Sequence, residues 1–357
     1  MKILLHGATN WGSSNFGDYL YGEIFYEFLN EILQESEVVF YDSSQFFKKN
    51  ICGYSEKIET KRVKDSDCLV YIPGGYFGEA HNARLRDNLI HFIRFMPVGI
   101  KCVFLKKKII IVGIGAGPNN SQILNIAIKM ICKHSQFITV RDEQSKLALN
   151  TLGIRNIFVG ADPLLVQNLE MKEEVTEQIS SIIKKSANKK ILFVHYNHSK
   201  FAMEKFAKVI KKFIRANKEY IVVVGSDQIF KSEEEMYKGF CNILEEKCVF
   251  YKYNNAHELI ALLRRIDAVL TCKLHVGVVA SMFAKSVVCA AEHPEKTMRF
   301  YERINNRERC VSIFETSEVE LYELLNKFLD SKINIPEEEI KNAEVHYQKL
   351  NLFFDNL

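Results

Sequence analysis

Apolar residues along this chain fall into short dense runs separated by stretches whose apolar positions recur every three or four residues. Runs at 2–6, 37–41, 68–72, 108–113, 136–140 and 155–159 read as strands, with helical periods at 16–33, 121–133 and 143–152 between several of them. The second half repeats the alternation. Strands are expected at 190–195, 220–224, 248–251, 268–271 and 286–290, and helices at 201–216, 256–265, 274–284 and 317–329. Strands alternating with helices of about ten residues predict α/β architecture, with parallel sheets covered on both faces. The pattern breaks near 163–171, after which 173–185 is acidic, then basic, and reads as a solvated helix. The expected organisation is two Rossmann-like domains, 1–165 and 166–335, whose parallel sheets face across a cleft. The tail 336–357 is a charged helix ending in apolar residues, and a candidate to pack back on the first domain. No repeat of fixed period and no low-complexity tract interrupts this plan.

One helix departs from the amphipathic norm. From Leu274 to Ala284 it is apolar on nearly every face, which predicts burial, yet Lys273 and His275 open it. Ionisable groups are a poor structural choice there and a good anion site, because free backbone N–H groups and the helix dipole already favour negative charge.

Composition narrows the class. The chain has 357 residues, 47% hydrophobic and 26% charged, as in a globular protein. The net charge of +4 supplies no basic face of the kind that defines a nucleic-acid binder. Nine cysteines without a Cys-x-x-Cys pair are expected to be reduced and mostly buried, as in a cytoplasmic protein. The opening Met-Lys-Ile-Leu-Leu-His reads as a first strand and not as a signal peptide.

Several loops at strand ends carry candidate chemistry. The loop 10–18 follows the first strand and holds Asn15, Gly17 and Asp18, which suit either helix capping or ligand contact. Pro73-Gly74-Gly75 reads as a glycine turn leaving the third strand, with Glu79 and His81 beyond it as acid/base candidates. Gly113-Ile-Gly115-Ala-Gly117-Pro118 has the wrong spacing for a dinucleotide loop. Arg141, just past a strand, suits a carboxylate or phosphate clamp as well as a surface pair with Asp142 or Glu143. Asp65 and Asp67 precede a strand instead of following one, so they read as a turn and no metal site is expected. His293, Lys296 and Arg299 follow the last strand of the Lys273–His275 unit and should lie beside that helix start.

In order, these motifs resemble the polysaccharide pyruvyltransferase family. The resemblance rests on Asn15-Phe-Gly17-Asp18, Pro73-Gly74-Gly75, Gly113 to Pro118, Arg141-Asp-Glu-x-Ser145, Asp162-Pro163 and Lys273-Leu274-His275. Lys273 stands where the family has arginine, keeping the charge but losing the bidentate fork, and Tyr76 replaces a third glycine. The resemblance implies a fold similar to that of two-domain, metal-independent sugar transferases, a GT-B-like arrangement. It implies transfer of the enolpyruvyl group of phosphoenolpyruvate to two sugar hydroxyls as a cyclic ketal, in surface polysaccharide biosynthesis. Phosphoenolpyruvate is then the donor substrate and no cofactor is needed.

On that reading the first domain serves the acceptor and the second the donor. His275 is the expected acid, or a donor to the departing phosphate; Asp18, then Glu79, is the expected base. Asn15, Gly17, Gly74, Gly75, Gly115, Arg141, Lys273, His293, Lys296 and Arg299 are the expected substrate contacts. The partner is a sugar or lipid-linked oligosaccharide, selected by the segments 41–63 and 78–106; no nucleic acid is involved, and peripheral contact with the inner membrane face is compatible. Two alternatives stay open: a GT-B glycosyltransferase whose sugar nucleotide is held by Glu292 or Glu295, and a non-catalytic carbohydrate- or phosphate-binding protein of the same fold.

Overall fold

A computed structural model describes residues 1–51, 63–79, 83–167 and 171–356. The chain divides into two compact units, one made of Met1–Ser14, Asp18–Val166 and Glu337–Leu357, the other of Asn15–Gly17 and Gln167–Pro336.

In the first unit the order is β1 (Lys2–His6), α1 (Phe16–Ile32), β2 (Glu37–Phe40), α2 (Gln45–Asn50), β3 (Cys68–Tyr71), β4 (Gly74–Phe77), α3 (Leu85–Phe104), β5 (Lys108–Ala116), α4 (Gln122–His134), β6 (Ser135–Val140), α5 (Glu143–Thr151) and β7 (Ile157–Val159). The second holds α6 (Glu177–Ser186), β8 (Lys190–His195), α7 (Lys200–Ala216), β9 (Tyr220–Gly225), α8 (Glu233–Leu244), β10 (Val249–Tyr251), α9 (Ala256–Arg265), β11 (Ala268–Thr271), α10 (Leu274–Met282), β12 (Ser286–Ala291), α11 (Pro294–Arg303), β13 (Cys310–Ser312) and α12 (Glu318–Phe328). The last helix, α13 (Glu337–Phe354), belongs to the first unit.

Each unit carries one wholly parallel sheet, as the alternation predicts. The strand orders are β2-β1-β3-β5-β6-β7, with β4 paired to β5, and β10-β9-β8-β11-β12-β13. In both, the chain runs outward over the first strands and then returns to the other side of the strand it began with. This reversal is a topological switch point, where loops leave neighbouring strands in opposite directions and open a crevice at their carboxyl ends. It falls between β1 and β3, where His6 pairs with Tyr71, and between β8 and β11, where His195 pairs with Thr271.

Burial on both faces dictates the strand composition. Ile3, Leu4, Leu5, Val269 and Leu270 have no exposed surface, and α10 is buried from Val276 to Met282. That helix stops short of the expected 284 because Ala284 adopts φ 51°, a left-handed conformation that ends a helix turn. Likewise α6 begins at Glu177 and not 173, where the Thr176 side chain caps it, and it buries Ile179 and Ile182 instead of being wholly solvated.

The two glycine motifs prove to be strands. Gly74 and Gly75 lie in β4, paired with β5, and a Cβ on Gly74 would fall inside the Tyr76 ring. Close packing, not a turn, excludes a side chain there. The run 113–116 continues β5, with Gly113 at φ +58° where the register to β6 shifts, so glycine allows a bulge.

The tail is anchored on the first unit by polar contacts. His346 is fully buried, its Nδ1 2.7 Å from Thr139 Oγ1 and its Nε2 2.8 Å from the Ala161 carbonyl oxygen. Tyr347 donates to the Pro163 carbonyl at 3.0 Å and stacks on Phe25 with ring centroids 5.3 Å apart. A Cβ on Gly160 would lie 2.6 Å from His346 Nε2, so glycine is what admits the ring. His346→Ala leaves a cavity and two unanswered polar groups. It should cost about 3 kcal/mol in urea unfolding of the first unit, against about 1 kcal/mol for Tyr347→Phe.

Candidate functional site

The second-unit switch point gathers a polar cluster on the carboxyl ends of β8, β9 and β11. Asp227, two residues past β9, is 1% exposed. Its Oδ1 lies 3.2 Å from His195 Nε2 and accepts from Lys273 Nζ at 3.3 Å; its Oδ2 accepts from Asn15 Nδ2 at 3.1 Å. Burial alone would raise its pKa, but the charges of Lys273 and His195 outweigh burial and hold the carboxyl well below its ordinary range. Behind it, His195 Nδ1 is 2.9 Å from Thr271 Oγ1, which also accepts from the Lys273 backbone N–H at 3.1 Å.

Lys273 is the N-cap residue of α10, in extended conformation and without a side-chain cap bond. The side chain is 22% exposed, so the ammonium sits at the crevice instead of in bulk water. His275, half-buried in the first turn of α10, is packed so closely on Gly17 that a Cβ there would fall inside the imidazole. Asn15 Oδ1 accepts from the Gly17 N–H at 3.1 Å, and the Phe16 N–H donates to the Asp227 carbonyl at 2.9 Å. Asn15, Gly17, Lys273 and His275 are thus brought together in the second unit.

Helix α11 packs beside α10, with the Tyr301 hydroxyl so close to Gly277 that no side chain would fit there. Along it Lys296 and Arg299 are half-buried, while His293 is exposed at its start. Glu292 accepts from Asn197 Nδ2 at 3.3 Å. The pKa of His198 is lowered, by partial burial of its ring first and then by the charge of Lys273.

The first unit holds the remaining candidates. Asp18, in the first turn of α1, accepts from Ser13 Oγ at 3.2 Å. Arg94 on α3 donates to Asn10 Oδ1 at 2.7 Å and to the Ala8 carbonyl at 2.9 Å, which fixes the loop after β1. Burial lowers the Arg94 pKa and the charge of Asp18 opposes that fall. Glu79 is buried; it accepts from Asn88 Nδ2 at 3.3 Å and from the Ser121 N–H before α4. It therefore serves as an anchor for a helix start. Arg141 is buried and not a surface residue. Burial lowers its pKa, but the carboxylates of Asp162 and Asp142 outweigh burial and raise it, and Gly115 makes room for its guanidinium. Tyr21 also donates to Asp162 at 2.8 Å and 2.9 Å, so Arg141 belongs to a buried network whose negative partner is already present. His81 lies outside the described residues. Asp67 accepts from the Lys2 N–H at 2.8 Å, at the amino end of β3. No group of three acidic, histidine or cysteine side chains among the described residues could hold a metal ion.

Sequence reading passed over Asp227, His195 and Arg94. Two of them carry a signal that topology alone could have supplied: His195 ends β8, and Asp227 follows β9. A further group was missed at the first-unit switch point. His6 ends β1 and is fully enclosed by Tyr41, Tyr71 and Phe95. Burial, with a smaller effect of Arg94, lowers its pKa from 6.5 to about 4.

Two measurements follow from these contacts. Above pH 6.5 His6 is neutral folded or unfolded; below it the unfolded chain takes up a proton that the native site refuses. The stability His6 contributes is therefore complete above pH 6.5 and lost down to about pH 4. The loss amounts to about 3 kcal/mol, and His6→Phe should flatten that part of the urea-unfolding pH profile. Gly17→Ala should cost about 2 kcal/mol by crowding His275, and the cost should largely vanish in a His275→Ala background.

Comparison with known proteins agrees with this architecture. Solved structures that share the fold include Staphylococcus aureus MnaA with UDP, at TM-score 0.69 and 11% identity over 100% of this chain and 97% of that one. They also include Neisseria meningitidis UDP-GlcNAc 2-epimerase bound to UDP-GlcNAc, at TM-score 0.62 and 11% identity over 99% and 100%. A third is Methanocaldococcus jannaschii UDP-GlcNAc 2-epimerase with UDP-GlcNAc and UDP, at TM-score 0.61 and 12% identity over 99% of each chain. Identities this low speak for the fold alone, two parallel-sheet α/β domains of GT-B type. A search of curated proteins finds no match. The polysaccharide pyruvyl transferase family model matches residues 15–294, a span that runs from Asn15 through the Lys273–His275 helix start to Pro294, and the chain belongs to that family.

Proposed function

We propose that the protein transfers the enolpyruvyl group of phosphoenolpyruvate to two hydroxyls of a saccharide, forming a cyclic ketal and releasing phosphate. The observation that carries this reading is the crevice of the second unit. An uncapped helix start, a tethered lysine and a histidine pressed against a glycine meet there in a member of this family.

Phosphoenolpyruvate brings a phosphate and a carboxylate. On this reading the N–H groups opening α10, Lys273, Lys296 and Arg299 receive them, with His293 at the rim. His275 gives a proton to the vinyl methylene, and the carbon that bears phosphate becomes cationic. One saccharide oxygen attacks it, phosphate leaves, and a second hydroxyl closes the ketal. The two hydroxyl protons balance the one added to the methyl and the one leaving with phosphate or solvent. Asp18 is our choice for the base that receives the first of them. Glu79 is the weaker choice, because it already anchors the start of α4. Arg141 and Gly115 contribute by shaping the first unit, as do Gly74 and Gly75. No cofactor is part of the scheme.

The saccharide's identity, and whether it is carried on a lipid, rests with the acceptor side. No helix among the described residues is long and apolar enough to cross a membrane. On this reading a lipid-linked acceptor is met by peripheral contact at the inner face. Of the two candidate ribose partners in the sugar-nucleotide alternative, Glu292 is already engaged by Asn197, which leaves Glu295 to serve that reading.

His275→Ala should lower phosphate release from phosphoenolpyruvate at least a hundredfold while calorimetric binding of phosphoenolpyruvate weakens only several-fold; unchanged turnover removes His275 from the chemistry. Treatment with EDTA should leave the rate within about twofold, and a loss restored by added divalent metal would contradict the scheme. Phosphoenolpyruvate should raise the melting temperature and UDP-sugars should not; the opposite result favours glycosyl transfer.

A further inference from the structure

Asp227 has almost no contact with solvent and faces three partners from different parts of the second unit: Lys273 before α10, His195 ending β8, and Asn15 in the short segment 15–17. A carboxylate so enclosed cannot touch a substrate. Its effect must pass through the groups it holds.

The Lys273 ammonium reaches out on a flexible stem with about 2 kcal/mol of rotamer freedom. Among the described residues its hydrogen-bond partner is Asp227 Oδ1. The other end of Lys273 is fixed too, because its backbone N–H donates to Thr271 Oγ1, and Thr271 meets His195 Nδ1. The chain Asp227–His195–Thr271 thus closes on Lys273 from behind while Asp227 holds it in front. The same carboxylate takes the Asn15 amide, and its backbone carbonyl takes the Phe16 N–H at 2.9 Å, next to the glycine that faces His275.

We propose that Asp227 is the positioning residue of this crevice: its carboxylate presets the Lys273 ammonium for the anionic donor and keeps the segment carrying Asn15 and Gly17 against His275. The proposal rests on the pyruvyl-transfer reading for its kinetic consequences but not for its structural one. Removing the carboxylate should therefore harm donor affinity more than turnover, because Lys273 must then be ordered at the expense of binding energy.

The test uses full-length Asp227→Asn, Asp227→Glu and Lys273→Met proteins, with Asp227→Ser in reserve should the Asn variant not fold. Peptide mapping after brief treatment with an acetyl N-hydroxysuccinimide ester reads the state of Lys273 without any substrate. In Asp227→Asn, Lys273 should be acetylated at least fivefold faster than in the wild type, with other lysines unchanged. The KM for phosphoenolpyruvate should rise at least tenfold with kcat within about threefold, and Asp227→Glu should recover most of both. In the Lys273→Met background Asp227→Asn should alter KM less than twofold. Unchanged acetylation of Lys273 overturns the proposal. So does a KM that does not move, or an effect that persists undiminished without the lysine. If acetylation responds but wild-type protein releases no phosphate from phosphoenolpyruvate, the positioning role stands and the pyruvyl-transfer reading falls.

Discussion

A carboxylate shut away from water must be answered by donors within reach, and the second unit is arranged so that Asp227 finds an ammonium, an imidazole and an amide. That requirement fixes more than one side chain. It ties the end of β9 to the end of β8 and to the residue that opens α10, and it commits the segment 15–17 to the second unit. The reversal of strand order between β8 and β11 supplies the room, because the loops leaving those strands diverge and leave polar ends uncovered. Two steric allowances complete the arrangement. Gly17 admits His275, and Gly277 admits Tyr301 from the neighbouring helix.

The first unit solves a similar problem by enclosure. Its switch point lies beside His6, which is neutral and ringed by aromatic side chains, while Arg94 ties down the loop that follows. Farther along the sheet Arg141, Asp162 and Tyr21 form a buried polar network. The eight described cysteines are free and all buried except the half-buried Cys241, which is the behaviour of small packing groups.

Much of this was legible in the order of residues, because burial on both faces leaves a distinctive mark. Every strand read as an apolar run was found, and the all-apolar helix after Lys273 is buried as its composition demands. The failures share a cause. Glycine in Gly74 and Gly75 signals a turn locally, but here it signals close packing against Tyr76, a long-range fact. The helices α3 and α8 were not read from the sequence although each has an apolar face; Pro97 stands inside α3, where a proline ordinarily argues against a helix. Asp162 stands 21 residues from Arg141, and only the fold brings the two together. Asp227 carries no local motif at all; its importance comes from partners distant in sequence by 32 to 212 residues, which no window of the chain contains.

The placement of α13 has a bearing on the order in which the protein is built. The second unit, apart from three residues, is one uninterrupted length of chain, whereas the first is completed by the final helix through His346 and Tyr347. During vectorial synthesis the second unit can close as soon as its own residues emerge, while the first waits with the carbonyls of Ala161 and Pro163 still lacking the partners α13 brings. The unit whose chain begins first is thus completed only once Glu337–Phe354 has followed the whole of the second.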